Sequence, residues 1–409
     1  MRDSGSPWTR CAIRSDWKNY GPPALHHGKP GVEAVCMNHG GSDSVADREF
    51  WHARRVLLTG HTGFKGAWLA AWLHYMGAEV TGFSLPAPAY ESPAWQALWP
   101  MLGKGGFTDL RGDVCDQAAL HAAVQQTNAS VVLHLAAQAI VLDSYALPEQ
   151  TWNTNVMGTL NVLQAMARHG RPAVIIGVTS DKCYENREWA WGYRENDVLG
   201  GHDPYSASKA AMEILLASWR SSFGPKTGIR VASARAGNVI GGGDGAAHRL
   251  LPDLMDAFSS GKPALVRRPD SVRPYQHVLE PLSGYLRLAR ILHEQGDSYA
   301  QAYNFGPPAG DACTTRWLAE VAAVQWGDGA AVQYPPAGQQ PHEAGTLMLD
   351  SAKARQELGW SPRWTAREAV LATIDWQRAW LKGQPAETTA ETLRQIEHYT
   401  QGRSYVSAR

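Results

Sequence analysis

Cysteine is scarce in this chain. Five occur in 409 residues (Cys11, Cys36, Cys115, Cys183 and Cys313), and none forms a C-x-x-C pair. Isolated thiols offer no disulfide framework and argue against a thiolate zinc site. The nearest approach to an H-E-x-x-H motif, residues 341–345, is followed by Thr346 where the second His belongs. No metal is expected. An excess of either charge is missing too, since 38 Lys and Arg balance 38 Asp and Glu. No apolar run approaches the roughly 18 residues of a membrane span. The expectation is a cytoplasmic protein with neither nucleic-acid nor membrane partners. Any anionic ligand must then be held by local Arg and Lys or by helix ends. Residues 1–50 lack a helical or strand period and the apolar core of a signal peptide. They are expected to be disordered, and Met37 is an alternative start.

From Arg54 onward a regular pattern is present. Short apolar runs at 54–59, 78–84, 130–137, 173–178 and 229–235 alternate with helical stretches. Those stretches include 67–77, a helix opening at Asp116, a long helix over 148–169 and another over 204–224. Strands alternating with helices of this length predict an α/β, Rossmann-type doubly wound parallel sheet. The reading divides the chain into a sheet domain over 51–236 and a smaller mixed α/β C-terminal substrate lobe. That lobe takes most of 237–385, with some return to the main domain. A C-terminal helix and tail follow over 386–409.

Gly60, Gly63 and Gly66 lie between the first strand and the first helix, in "TGHTGFKGAW". Glycine lets the backbone turn sharply and lets a phosphate approach it, and the helix N-terminus behind presents free N–H groups. A lone G-x-x-G-x-x-G is weak, but strand before and helix after favour dinucleotide binding over a structural turn. His61 and Lys65 either belong to a solvated loop or, for Lys65, add charge beside the pyrophosphate. The acid that usually binds the adenine ribose is absent, because the second strand ends at Ser84. Asp113 is a candidate for the adenine edge, or a structural residue at a strand end.

Tyr205 and Lys209 are four residues apart on one helix and share a face. A phenol titrates near 10, and bringing it to about 7 takes roughly 4 kcal/mol. Two nearby cations, the lysine and a nicotinamide ring, could supply that. Tyr205 would then take a hydroxyl proton while a hydride leaves the same carbon.

Over residues 54–380 this combination resembles the extended short-chain dehydrogenase/reductase family, which uses NAD. The resemblance implies that Gly60, His61, Thr62, Gly63, Phe64, Lys65 and Gly66 form the cofactor turn. Asp113 and Val114, then Ala136, Ala137, Gln138 and Asn155, would line the rest of the cofactor site. Ser180 would hydrogen-bond the substrate oxygen. The pair Asp181–Lys182 is not needed for oxidation alone, and members that only epimerise usually carry small residues there. Sugar-nucleotide 4,6-dehydratases carry an acid and a second proton-transfer residue, because elimination needs a general acid and a base. Asp181 suits the acid if the pocket keeps it protonated. Lys182 stands where the better-known members have Glu. It acts as base if its pKa is lowered, or stabilises the enolate electrostatically.

For a nucleotide-sugar substrate, Gln138, Asn238, Arg249, Arg273 and His277 are candidate contacts. Arginine's planar fork suits phosphate, and Arg235, Asn304 and His342–Glu343 are further candidates. The departures from the family pattern are Tyr275 in place of Trp, Gly245 in place of an aromatic, and an N-terminal segment with no counterpart. The family implies a homodimer or homotetramer built through the helices at 148–169 and 204–222. Two rival readings remain open: a sugar-nucleotide 4-epimerase, and a non-enzymatic cofactor-sensing regulator.

Overall fold

The computed structural model describes residues 42–86, 91–335 and 346–406. Met37, His342 and Glu343 lie outside the described residues, as does most of the N-terminal segment.

Seven strands form one parallel sheet. They are β1 (Arg55–Thr59), β2 (Glu79–Ser84), β3 (Thr108–Arg111), β4 (Val131–His134), β5 (Ala173–Val178), β6 (Ile229–Ala236) and β7 (Ala302–Phe305). Their spatial order is β7-β6-β5-β4-β1-β2-β3, and every pairing is parallel. The order reverses between β1 and β4, where a doubly wound sheet opens a crevice at its C-terminal edge.

Side chains alternate between the two faces of the sheet, as the strand period of two requires. Val56, Leu58, Val131, Leu133, Val174 and Ile176 enter one core, shared with the helices Phe64–Tyr75 and Leu279–Gln295. Leu57, Val132, Ala173 and Ile175 enter the other, shared with Gln117–Thr127, Gly158–His169 and Pro204–Ser222. A third cluster joins the helices Leu250–Ser259 and Thr315–Trp326 to the start of Ala366–Leu381. The last of these also lends Ala372 and Trp376 to the first core.

The described residues form one compact unit. The segment after 236 is interleaved with the sheet through Leu279–Gln295 and β7. The helix Pro385–Thr400 closes over Pro93–Lys104, with the Thr389 hydroxyl donating to the Ala97 carbonyl at 2.9 Å.

Two expectations are corrected. Residues 42–50, grouped by composition with a disordered segment, belong to the helix Ser42–Trp51. It is held by burial of Phe50 and Trp51 and by an Asp47–Arg290 ion pair at 2.9 Å. The helix over 148–169 is not uniform. Pro148–Trp152 passes into a π-turn, Asn153–Met157, before Gly158–His169. The wider turn carries Asn155 inward, and such turns are frequent at functional sites.

Candidate active site

The crevice begins at the glycine turn. Gly60 has φ +75°, in the region that favours glycine, and a β-carbon there would come within 2.7 Å of the Ala136 amide nitrogen. A β-carbon at Gly66 would collide with the Gly60 carbonyl oxygen. The turn is thereby closed against the end of β4. The helix Phe64–Tyr75 starts with no side chain capping its N–H groups and no acid in its first turn. Bare backbone, free N–H groups and a positive dipole end suit a pyrophosphate, so the residues present fit a dinucleotide.

Around this turn the predicted cofactor residues divide. Thr62 and Phe64 are buried, and the Thr62 backbone is taken by Ser84 and Ser92, with its amide donating to the Ser84 hydroxyl at 3.3 Å and its carbonyl accepting from the Ser92 amide at 2.9 Å. His61 is not on a solvated loop. Its ring is buried, with Nδ1 2.9 Å from the Ser84 hydroxyl and Nε2 2.9 Å from Asp109, because Gly82 leaves room for it. Asn155 is also turned inward. Its Oδ1 accepts from the Gln138 amide at 2.9 Å, and its Nδ2 donates to the Gln138 carbonyl at 3.0 Å and the Ser208 hydroxyl at 2.8 Å. It therefore holds the Ala136–Ala137–Gln138 segment in place. Gln138 keeps a buried Oε1 without a protein partner. Asp113 is exposed beside buried Val114 and lines an open cavity of about 830 Å³ with Thr154 and Met157.

On the other side of the crevice β5 runs into Ser180, which caps the short turn Asp181–Cys183. The Ser180 hydroxyl donates to Asp181 Oδ1 at 2.9 Å and also reaches the Tyr205 phenol. Asp181 is buried, with Oδ2 unpartnered against Gly237. Burial raises its pKa, against the pull of Lys182, Ser180, Arg273 and Lys65. The carboxyl is thus biased towards its neutral, proton-bearing form.

Burial pushes Tyr205 up to about 12, opposed by the Ser180 hydrogen bond. Lys209 is brought down to about 7, by burial first and by Lys65 second, and its Nζ donates to the Val178 carbonyl at 3.2 Å. The protein groups alone therefore do not supply the phenolate expected from the Tyr–Lys spacing. Lys65 reaches further than a phosphate contact. Burial and Arg249 lower it to about 8, while Asp181 and Asp244 raise it, so it lies within the field of both of these carboxyl groups.

The nucleotide-side candidates also divide. Arg273 acts on Asp181 electrostatically, and Arg249 is held by Asp244 at 2.8 Å at the start of its helix. Asn238 has a positive φ of 25° and lies half-buried two residues past β6. Three candidates are corrected. His277 is wholly buried between Trp68 and Trp364, and burial lowers it to about 3, so it is a neutral core side chain. Arg235 is spent on a buried ion pair with Glu213 at 2.8 Å and on the Tyr184 hydroxyl at 2.6 Å. Asn304 is spent on Tyr184 and on the carbonyls of Tyr193 and Asp350.

The sequence reading missed Glu213, although it follows Lys209 by one helical turn. It also missed Asp109 and Arg111, whose roles depend on the pairing of β2 with β3.

A doubly wound sheet with a bare glycine turn at its switch point, facing a Ser–Tyr–Lys group at the end of β5, defines an extended short-chain dehydrogenase/reductase. The match to a family model narrows this. Residues 57–373 fit the model described as GDP-mannose 4,6 dehydratase, and the chain belongs to that family. It is 42% identical over 346 residues to a CDP-glucose 4,6-dehydratase of Salmonella typhimurium, covering 83% of this chain and 95% of the relative. It is 29% identical to a dTDP-glucose 4,6-dehydratase of Streptomyces antibioticus, covering 82% and 97%. Among solved structures, a dTDP-glucose 4,6-dehydratase of Streptomyces venezuelae with NAD and TYD bound superposes with a TM-score of 0.67. The identity is 22%, and the match covers 79% of this chain and 97% of that one. At that identity it speaks for the fold.

Proposed function

We propose that this chain is an NAD-dependent sugar-nucleotide 4,6-dehydratase that converts CDP-D-glucose to CDP-4-dehydro-6-deoxy-D-glucose and water. The observation that carries the reading is Asp181: a buried carboxyl, biased towards protonation, one residue from the hydroxyl that reaches Tyr205. Oxidation at carbon 4 has no use for it, whereas loss of the carbon-6 hydroxyl does. The 42% identical relative favours CDP-glucose among nucleotide sugars.

The turn Gly60–Gly66 would hold NAD⁺, which would supply a hydride acceptor for carbon 4, a hydride donor for carbon 6 and a cationic ring whose charge Tyr205 lacks. Moving that phenol from about 12 to neutrality takes on the order of 7 kcal/mol. Tyr205 then removes the carbon-4 hydroxyl proton, with Ser180 orienting that oxygen and Lys209 holding positive charge nearby. The resulting ketone acidifies carbon 5. Asp181 gives its proton to the departing carbon-6 hydroxyl, which leaves as water, and Lys182 takes the carbon-5 proton, steadies the enolate with the charge it gains, and returns the proton to carbon 5 as the hydride adds at carbon 6. Arg249, Arg273 and Asn238 are assigned to the diphosphate end.

We further place the protein in the cytoplasm, as a homodimer or homotetramer, in deoxysugar biosynthesis for surface polysaccharide.

The test is turnover of CDP-, dTDP-, UDP- and GDP-hexoses with added NAD⁺, read by the alkali-induced near-ultraviolet absorbance of a 4-keto sugar. Product from CDP-glucose, lost in Tyr205→Phe, supports the reading. Conversion to a carbon-4 epimer without that absorbance replaces it with an epimerase. Nucleotide binding with no turnover replaces it with a sensor.

A further inference from the structure

The adenosine end of the crevice departs from the usual pattern. In sheets of this order an acid ending the second strand takes the ribose hydroxyls, while an Arg nearby accommodates a 2′-phosphate. Here β2 ends in Ser84, followed by exposed Leu85 and Pro86. The Ser84 hydroxyl is turned inward, where it accepts from the Thr62 amide at 3.3 Å and meets His61 at 2.9 Å. The last residue of β3, Arg111, reaches across instead, and its Nη1 donates to the Leu85 carbonyl at 3.2 Å.

A cation in that place would by itself favour a phosphate. Arg111, however, is held from two sides. Its Nε and Nη2 donate to Asp109 at 2.6 and 2.8 Å, and its Nη1 donates to Glu91 at 2.8 Å. Two carboxylates against one guanidinium leave one excess negative charge. His61, the other partner of Asp109, does not offset it: burial lowers its pKa despite Asp109.

We propose that the Glu91–Arg111–Asp109 cluster selects NAD over NADP in this chain, in place of the acid missing from β2. A 2′-phosphate would meet the excess negative charge and could take the guanidinium only by displacing Glu91. A free ribose has no such conflict, since its hydroxyls can donate to the carboxylates. Glu91 is the separable member, because Asp109 also anchors His61 behind the glycine turn. The inference rests on the proposed dinucleotide dependence.

The test is calorimetric titration of the full chain, freed of bound nucleotide, with NAD⁺ and with NADP⁺. Glu91→Gln should tighten NADP⁺ about two- to fivefold relative to NAD⁺, the size of one partly exposed charge pair. The gain should shrink at high salt and be absent in Glu91→Gln/Arg111→Gln. The proposal is overturned if the ratio of the two affinities is unchanged in Glu91→Gln, or if the double variant keeps the gain. Equal weakening of both nucleotides would mean a structural role and overturn it as well. Wild-type protein that binds neither nucleotide removes the proposed function and this inference together. Protein that binds NAD⁺ but turns over no sugar nucleotide removes only the former.

Discussion

The free carboxylate oxygen of Asp181 lies against the α-carbon of Gly237, so closely that a β-carbon at 237 would collide with it. Gly237 sits just beyond β6 and is fixed there by Gln276, whose Nε2 donates to its carbonyl at 3.2 Å. A residue on β6's exit thus sets where the carboxyl after β5 can point. Gly237→Ala is expected to displace Asp181 and lower kcat by about ten- to a hundredfold, since misplacement near 1 Å can cost that much. Nucleotide affinity should change little. Steady-state kinetics with a calorimetric NAD⁺ titration separates the two.

Asp181→Asn keeps the shape and removes the transferable proton, with an expected loss of about 10²–10⁴ in kcat. The pH profile of the wild type carries the same signature. An acid must be protonated to act, so the rate should fall as pH rises through the raised pKa of Asp181. The effect on stability runs in the same sense. The folded carboxyl binds its proton more tightly than the unfolded one, so stability is lost as pH rises from the unfolded value through the folded one. Asp181→Asn removes that loss and should melt higher than wild type at alkaline pH, a gain in Tm beside a loss in turnover.

Arg235 and Glu213 form a pair in which removing one partner strands the other. Either Arg235→Met or Glu213→Gln is expected to cost about 3–5 kcal/mol, and the double replacement Arg235→Met/Glu213→Leu less than the sum. Urea denaturation of the three variants checks this. Burial alone would raise Glu213, but Arg235, Thr179 and Ser233 outweigh it and hold the carboxyl below its usual range. Its contribution is therefore present above the unfolded carboxylate range and lost as pH falls through the folded value.

The helices at 148–169 and 204–222, with the short helix Val141–Ala146 before them, carry exposed Leu142, Tyr145, Trp152, Met157 and Ile214. Large apolar side chains left exposed on neighbouring helices are candidates for an interaction face. If that face joins two copies, Ile214→Glu should halve the mass seen by light scattering at micromolar concentration, with the secondary structure intact by circular dichroism. An unchanged mass would remove this face as the contact.

Much of the framework could be read from neighbours along the chain. Strands buried on both faces appear as unbroken apolar runs, as in Ala173–Val178. Asp116 announces a helix by accepting from the amides of Ala118 and Ala119. Tyr205 and Lys209 share a face because four residues make about one helical turn. Such features depend on spacings of a few residues. The β7 strand is different. It is four residues long, and its partner β6 lies over sixty residues earlier, so nothing local marks it as the sheet's edge.

The same division runs through the candidate site. Which residue types the crevice holds, from the glycine turn to the Asp181–Lys182 pair, is set by local order, because turns and caps are short-range. Which of them face a ligand is set by burial and by partners distant in the chain. Arg235 and His277 have the chemistry of ligand contacts, yet Glu213 neutralises one and two tryptophans enclose the other. Asp109, unremarkable in "FTDLRGDV", becomes the common partner of His61 and Arg111 only once β3 lies beside β2. Charge and desolvation act through space, and the crossovers that bring these strands together decide which groups are near enough to feel them.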